Sequence, residues 1–219
     1  MILNIINSGS DGNCCVLTDS KGHQIILDCG LPYNQIIEHT DFQKIDFVLT
    51  SHVHQDHYKS VRNFKHFLVP CYEPANVKDG AIINTIFWSV VPMKLSHNVE
   101  CYGFLIYSKL DRKKIAYITD TNYIPKLGNV DMLIVDCNYD EDIIAEKKEK
   151  GITVHLGYKN HSSNQSVARY LTELPFKIPL LVAYHISNSS LNEISKVEEV
   201  LSPFTDKLVI SKPNTIIEF

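Results

Sequence analysis

The feature that most constrains this chain is the run His52-x-His54-x-Asp56-His57, a dense group of metal-ligand side chains. Imidazole nitrogens and carboxylate oxygens bind a borderline cation such as Zn²⁺ at neutral pH. The ligands lie too close together for all of them to serve one tetrahedral ion, so the spacing indicates two ions. A His-rich tail can also bind metal without function. This run, however, is internal and follows an apolar stretch, residues 45–50, that predicts a buried strand.

Four further candidate ligands each follow an apolar, strand-like stretch of the sequence. They are Asp28 after residues 24–27, His97 after 91–96, Asp120 after 115–119 and His185 after 180–184. Singly, each has a plain structural reading, as a turn acid or as an ordinary histidine at a strand end. Taken together with the run at 52–57, the four residues predict that several strands end at one shared metal centre.

In this order the candidates match five motifs of the metallo-β-lactamase-fold hydrolases, which the chain resembles over nearly its whole length. The resemblance implies two Zn²⁺ ions, with Mn²⁺ as the alternative. The ligands implied for one ion are His52, His54 and His97. Those implied for the other are Asp56, His57 and His185. Asp120 would bridge the two ions, and Asp28 would hydrogen-bond the ligands without binding metal.

Shorter segments resemble the YycJ/WalJ branch of this superfamily. One is Ser8–Asn13, which is followed by Leu27–Leu31. Another is Asn160–Asn164, which is similar to the branch's Gly-His-Leu-Ser-Asn segment and to the His-Ser-Thr loop of tRNA 3′-processing nucleases. The chain departs from the branch at Asn160, where Gly is usual, and at Lys59-Ser60, where Lys-Gly is usual. These departures concern the shape of the loops.

His161 is the residue that points towards phosphodiester chemistry. It precedes a predicted helix that Ser162 and Ser163 would cap, and the free N–H groups of a helix start suit a phosphate. We expect His161 to stabilise transition-state charge or to protonate the leaving oxygen. Asp136 aligns with the acid that orients this histidine in the tRNA-processing nucleases. The predicted catalytic residues are therefore Asp56, His161 and Asp136.

Three polar side chains are candidate substrate contacts, namely Ser10, Asn13 and Ser162. The first two lie in a Gly-containing loop whose backbone N–H groups suit a phosphate. A tight hairpin is the simpler explanation of the same loop, and both interpretations stay open.

Sequence patterning predicts an α/β (α+β) fold in one domain, residues 1–219. Two strand-rich halves, each followed by helices, indicate two sheets packed face to face with helices outside. The resemblance implies the same arrangement, a four-layer αββα sandwich. Helices are expected at 140–150, 163–174 and 191–201, the last with a capping box at Ser190-x-x-Glu193.

Composition is that of an ordinary globular protein, with 44% hydrophobic and 21% charged residues. A net charge of −4 gives no general attraction to nucleic acid, although it does not exclude a local basic groove. The sequence shows no leader, no apolar stretch of membrane length and no C-x-x-C pair among its six cysteines. We therefore expect a cytoplasmic protein with reduced thiols and no membrane partner. The oligomeric state is left open.

The leading hypothesis is a dinuclear zinc phosphodiesterase or nuclease acting on DNA or RNA, with a metal-bridging hydroxide as nucleophile. Its expected partner is a nucleic acid or nucleotide substrate. One alternative is a hydrolase of cyclic nucleotides or other small phosphodiesters. Another is a thioester or lactone hydrolase similar to glyoxalase II. A third is a metal-dependent nucleotide-binding protein without turnover.

Overall fold

The computed structural model describes residues 1–187 and 190–219, in which the strands form two sheets. The strands of the first sheet are β1 (Ile2–Asn7), β2 (Cys14–Thr18), β3 (Gln24–Leu27), β4 (Ile45–Leu49), β5 (Cys71–Tyr72) and β13 (Thr215–Glu218). The strands of the second are β6 (Ile83–Asn84), β7 (Trp88–Leu95), β8 (Cys101–Ser108), β9 (Lys113–Ile118), β10 (Met132–Asp136), β11 (Ile178–Tyr184) and β12 (Thr205–Ile210).

The helices are short and connect or cover the strands. They are α1 (Tyr33–Ile37), α2 (Gln55–Tyr58), α3 (Val61–His66), α4 (Glu141–Glu149), α5 (Asn164–Thr172) and α6 (Ile194–Leu201). Single 3₁₀ turns occupy Phe42–Lys44, Leu156–Asn160 and Ser202–Phe204. The predicted helices at 140–150 and 163–174 are present, because Asp140 and Ser163 cap them through their side chains.

Alternate residues of facing strands fill the space between the two sheets, because successive side chains of a strand point to opposite faces. Ile25 and Leu27 of β3 pack with Ile134 of β10 and Val182 of β11 in this inner core. All four side chains are fully buried. The two sheets therefore lie face to face, as the strand pattern predicted.

A layer of helices covers the outer face of each sheet. Ile26, which lies between the two inward-facing residues of β3, packs instead against Phe64 of α3. On the second sheet, Leu133 packs with Val167 of α5 and Val197 of α6. The predicted four-layer αββα sandwich is confirmed. That residues 1–219 form a single domain stays a prediction.

Strand direction brings the candidate ligands to one edge. β3 and β4 are parallel, β9 to β12 form a parallel series, and β7 runs with β9 because both are antiparallel to β8. The carboxyl ends of parallel strands are where open α/β sheets carry their sites. The residues that follow these ends are Asp28 after β3, His52–His57 after β4, His97 after β7, Asp120 after β9 and His185 after β11.

The chain turns at residues 85–87, between the two-residue strand β6 and β7. One local expectation is wrong. The helix predicted from Leu191 begins at Ile194, and Glu193 caps it without a side-chain hydrogen bond. The capping box fails because Ser190 has a φ of 55° and its Oγ accepts instead from Lys147 Nζ at 3.2 Å. Over the described ranges, we find no helix long and apolar enough to cross a membrane.

Candidate metal centre

Three residues of the centre adopt left-handed backbone conformations just after their strands. The φ angles are 57° at Asp28, 51° at Asp120 and 53° at His185. Positive φ is uncommon outside glycine, although Asp and His tolerate it better than most residues. Strained conformations of this kind persist where the surrounding packing determines them, and they concentrate at functional sites. Each turns the chain sharply at the end of a buried strand.

The first cluster consists of His52, His54 and His97. The distance from His54 Nδ1 to His52 Nε2 is 3.0 Å, and to His97 Nε2 it is 3.4 Å. A tetrahedral zinc ion with Zn–N bonds of about 2.0–2.1 Å separates its nitrogen ligands by about 3.3 Å. The three nitrogens therefore have the spacing of a zinc site.

The opposite nitrogens of this cluster are held by the surrounding chain. Ser51 Oγ lies 3.0 Å from His52 Nδ1, and His97 Nδ1 lies 3.3 Å from the carbonyl oxygen of Asn160. Such contacts orient metal-binding imidazoles and fix their tautomer. They leave the Nε2 atoms of His52 and His97 directed at His54.

The second cluster consists of Asp56, His57 and His185. Asp56 Oδ2 lies 3.5 Å from His57 Nε2 and 3.6 Å from His185 Nε2. His185 Nε2 is buried and has no hydrogen-bond partner within the described residues. Buried polar atoms are almost always paired, so an imidazole nitrogen without a partner that faces a carboxylate and a second imidazole has the surroundings of a cation ligand. The residues present thus suit a metal ion.

Asp120 lies between the two clusters. One carboxylate oxygen is 3.3 Å from His57 Nε2, and the other is 3.5 Å from His185 Nε2 and 3.9 Å from His52 Nε2. Burial opposes its charge, but His185 and His57 outweigh burial and hold the pKa of this carboxyl well below its usual range. An ionised carboxylate in this position can share its oxygens between two cations.

The surroundings favour the neutral form of His52 in the first cluster and the protonated form of His57 in the second. Burial and the neighbouring His57 lower the pKa of His52 to about 2, so its imidazole is neutral, as metal binding requires. His57 is equally buried, but the carboxylates of Asp120 and Asp28 outweigh burial and raise its pKa well above the ordinary value. A cation bound to His57 would therefore replace a proton.

Asp28 is fully buried behind the second cluster and carries four hydrogen bonds. Its Oδ1 accepts from Ser51 N–H at 2.7 Å. Its Oδ2 accepts from His57 Nδ1 at 2.7 Å, from Tyr117 O–H at 2.7 Å and from Ser51 Oγ at 2.9 Å. The carboxylate orients His57 so that Nε2 faces Asp56 and Asp120. This role of Tyr117 was not predicted from the sequence, where the residue is distinguished only by one hydroxyl group inside an apolar strand.

The backbone around the ligand run is tightly packed. Asn13 N–H donates to the carbonyl oxygen of Asp56 at 2.7 Å, and Cys29 N–H donates to that of His57 at 2.9 Å. A Cβ at Gly30 would lie only 1.7 Å from the Asp56 carbonyl oxygen. Glycine is therefore required at position 30 for this approach, which sequence reasoning also missed.

The three predicted substrate contacts differ in accessibility. Asn13 is fully buried, with Nδ2 2.8 Å from His57 Nε2 and 3.4 Å from Asp56 Oδ2. Ser162 is also buried, and its Oγ donates to the carbonyl oxygen of Thr121 at 2.7 Å. Ser10 is exposed. Asn13 and Ser162 thus have internal partners, and substrate contact by any of the three stays a prediction.

His161 adjoins both clusters. Its ring lies 5.6 Å from that of His97 and is stacked 5.0 Å from that of His185. Its Nδ1 lies 2.9 Å from Asp136 Oδ2 and 4.0 Å from Asp120 Oδ2. Burial opposes a charge on this imidazole, but Asp136 and Asp120 outweigh burial and raise its pKa to about 9. The structure brings His161 and Asp136 together beside the predicted ligands.

Comparisons of sequence give a distant relative. No protein-family profile matches the chain. The RNase J-like protein of Methanocaldococcus jannaschii is 23% identical over 168 residues. The match covers 58% of this chain and 40% of that protein, so the chain spans much less than the length of the curated relative it matches.

Comparisons of structure define the fold. The metallo-β-lactamase fold protein YhfI from Bacillus subtilis has a TM-score of 0.78 at 16% identity, with 99% of each chain covered. Human short-form tRNase Z has a TM-score of 0.67 at 16% identity, over 100% of this chain and 99% of its own. Zn²⁺-bound PqqB from Methylobacterium extorquens has a TM-score of 0.70 at 13% identity, over 100% of both chains. The chain has the metallo-β-lactamase fold, as its sequence resemblance predicted.

Proposed function

We propose that this chain is a dinuclear metal-dependent phosphodiesterase that acts on nucleic acid. The observation that carries the proposal is the His161–Asp136 pair, held at 2.9 Å beside both ligand clusters. An ester hydrolase that only needs an activated water has no need of an oriented imidazole at this position. A phosphodiester, whose transition state and leaving oxygen both carry negative charge, does benefit from one.

The metal ions would be held by the two clusters, with Asp120 shared between them. Zn²⁺ is the proposed cation and Mn²⁺ the alternative, because five imidazoles dominate the donor set. Two neighbouring ions would acidify a water and polarise the oxygens of the phosphodiester. Asp28 and Ser51 would keep the imidazoles of His57 and His52 in the tautomers that leave Nε2 free.

His161 would supply a proton. Its Nδ1 is engaged with Asp136, so the nitrogen left for substrate is Nε2. The carboxylate of Asp136 raises the pKa of this imidazole and favours its protonated form, which would donate to the leaving oxygen or stabilise charge on the phosphate. Asp136, buried beneath it, holds the ring in one orientation.

Names of similar proteins support nucleic acid as the substrate class. The RNase J-like protein and tRNase Z, to which the chain is 23% and 16% identical, have names that denote ribonucleases. A hydrolase of small phosphodiesters is the second candidate, because the same His161–Asp136 pair would serve it. Thioester hydrolysis and binding without turnover have no comparable observation in their favour.

A substrate panel tests the proposal. The protein, loaded with Zn²⁺ or Mn²⁺, would be offered end-labelled single- and double-stranded DNA and RNA, cyclic nucleotides, a thioester and a lactone. We expect cleavage of nucleic acid above the background of Asp120→Ala, with Asp111→Ala, a carboxylate outside the centre, as the matched active control. Turnover of the thioester or lactone alone would overturn the proposal, and so would binding without hydrolysis of any phosphodiester.

A further inference from the structure

A groove lies beside the metal centre, between the loop that follows β9 and helix α5. It is a cavity of about 790 Å³, bounded by residues 122–129 of the loop and by the segment 162–176. This is within the range of about 300–1,000 Å³ that ligand sites commonly have. Ser162 is at its edge, and Ser162 N–H donates to Asp136 Oδ2, the carboxylate oxygen that holds His161. The groove therefore adjoins the catalytic pair.

The walls of the groove are largely aromatic and aliphatic. Tyr123 is 62% exposed, and Tyr170 and Phe176 are half-buried beside the same cavity. Aromatic faces next to a polyanion site are what nucleobases stack on, without regard to base identity. Since the metal centre would hold a phosphate, the groove offers an apolar surface beside it for the bases attached to that phosphate.

Hydrogen bonds fix the groove in shape. Tyr170 O–H accepts from Leu127 N–H at 3.2 Å and donates to the carbonyl oxygen of Pro125 at 3.1 Å, which holds the loop against α5. Asn122 Nδ2 donates to the carbonyl oxygen of Lys159 at 3.0 Å, which ties the loop to the segment before His161. A surface held in this way loses little freedom when a ligand binds.

Three charged side chains line the groove, namely Lys126, Arg169 and Glu173, and Lys126 is the cation available to a ligand. Arg169 is paired with both oxygens of Glu141. Lys126 is exposed and has no ion pair or hydrogen bond within the part of the chain that the structure describes. An unpaired ammonium among aromatic walls suits a phosphodiester backbone that carries bases. The protein as a whole, at net charge −4, offers no such general attraction.

We infer that this groove binds the nucleotides next to the cleaved phosphodiester of a single-stranded nucleic acid. Bases would stack on Tyr123, and a flanking phosphate would lie near Lys126. The inference rests on the proposed function and narrows it, because a base in a duplex is paired and stacked and is not free to enter the groove. DNA and RNA share the chemistry involved, so both are expected to bind.

The test compares a substrate that fills the groove with one that does not. Tyr123→Ala and Lys126→Ala would be assayed on single-stranded DNA and RNA oligonucleotides and on bis(p-nitrophenyl) phosphate, which lacks nucleosides. We expect the ratio of kcat/KM for oligonucleotide to kcat/KM for the small ester to fall about tenfold in each variant. Phe42→Ala and Lys21→Ala are the matched controls, since both residues lie at the amino ends of strands, away from the centre.

A binding measurement separates this inference from the proposed function. Fluorescence anisotropy of a labelled oligonucleotide with the metal-free protein should show weaker binding for both groove variants than for the controls. If no phosphodiester is hydrolysed, the proposed function fails, while loss of binding in the groove variants still supports the groove. An unchanged kcat/KM ratio together with unchanged binding would overturn the groove, whatever the enzyme hydrolyses.

Discussion

The two ligand clusters of the centre are held by the fold in different ways. The first cluster has one buried member, His52, whereas His54 and His97 are partly exposed. Its orienting contacts are a neighbouring hydroxyl, Ser51 Oγ, and a loop carbonyl, that of Asn160. This cluster therefore lies at the rim of the sandwich, and its link to the core passes through Ser51, whose Oγ also donates to Asp28 Oδ2.

The second cluster is built into the core. His57 and His185 are buried, and each is fixed from behind by an element distant in sequence. His57 bonds to Asp28, and His185 N–H donates to Ser8 Oγ at 2.9 Å. Asp56 is held through its backbone by Asn13. We therefore expect substitutions deep between the two sheets to weaken binding of the second metal ion more than binding of the first, although the substituted residues are not ligands.

Asp120→Ala should have the largest effect, because this carboxylate belongs to both clusters. Its removal takes one carboxylate away from three imidazoles, those of His52, His57 and His185. We expect turnover to fall at least about a thousandfold, given that one lost transition-state donor alone costs about 10²- to 10³-fold. Metal content by mass spectrometry should fall below two ions per chain. Two retained ions with normal turnover would contradict the shared position of Asp120.

His161→Ala should separate catalysis from metal binding, because His161 belongs to neither cluster. We expect turnover to fall about a hundredfold or more, as for the loss of a general acid, while two ions stay bound. Asp136→Asn should cause part of the same loss in turnover, because it weakens the contact that orients the His161 ring. The matched control is His66→Ala, an exposed histidine of α3. Loss of a metal ion in His161→Ala would make His161 a ligand instead, and normal turnover would remove it from the mechanism.

Gly30→Ala should damage the second cluster through the backbone alone. The new methyl group would overlap the Asp56 carbonyl oxygen, so the ligand loop must move. We expect a loss of about 3 kcal/mol in the free energy of unfolding, the upper end for overpacking, and weaker binding of one metal ion. Gly128→Ala is the control, because a Cβ there meets no atom within 4 Å. Equal stability of the two variants in urea would show that the loop accommodates the methyl group.

The position of each candidate ligand at a strand end is predictable from the sequence, because both signals involved are local. An apolar run marks the strand, and the His or Asp that follows marks the strand's end, as at Asp28 and His185. The fold confirms that these strand ends share one edge. Resemblance supplied the order of the motifs, and the layered arrangement followed from two strand-rich halves that are each followed by helices.

The supporting contacts were not predictable, because they depend on which distant elements become neighbours. Tyr117 reaches Asp28 across the space between the two sheets, and Gly30 meets Asp56 only when β3 lies beside the ligand loop. Tyr117 carries no pattern in its own segment, and the Leu27–Leu31 segment that contains Gly30 does not show which atoms the glycine meets. The start of α6 was predicted wrongly for the same reason, because the Ser190 side chain accepts a hydrogen bond from Lys147, which belongs to another helix.

Tyr117→Phe gives the smallest and most selective effect, because it removes one hydroxyl from behind the second cluster. Asp28 Oδ2 would keep its bonds from His57 and Ser51 but lose the one from Tyr117. A hydrogen bond to a charged group contributes about 2 kcal/mol to folding, and loss of such support weakens metal binding about tenfold. Calorimetric titration of the metal-free protein should show one weakened ion and one unchanged.

The matched control is Tyr184→Phe, because Tyr184 is equally buried in the same inner core and its O–H donates to the carbonyl oxygen of Asn7, away from the centre. That variant should lose about 1 kcal/mol of stability and bind both ions normally. If Tyr117→Phe weakens both ions equally, the two clusters share one support and the distinction between rim and core fails. If it weakens neither, His57 is held firmly enough by Asp28 without the Tyr117 hydroxyl.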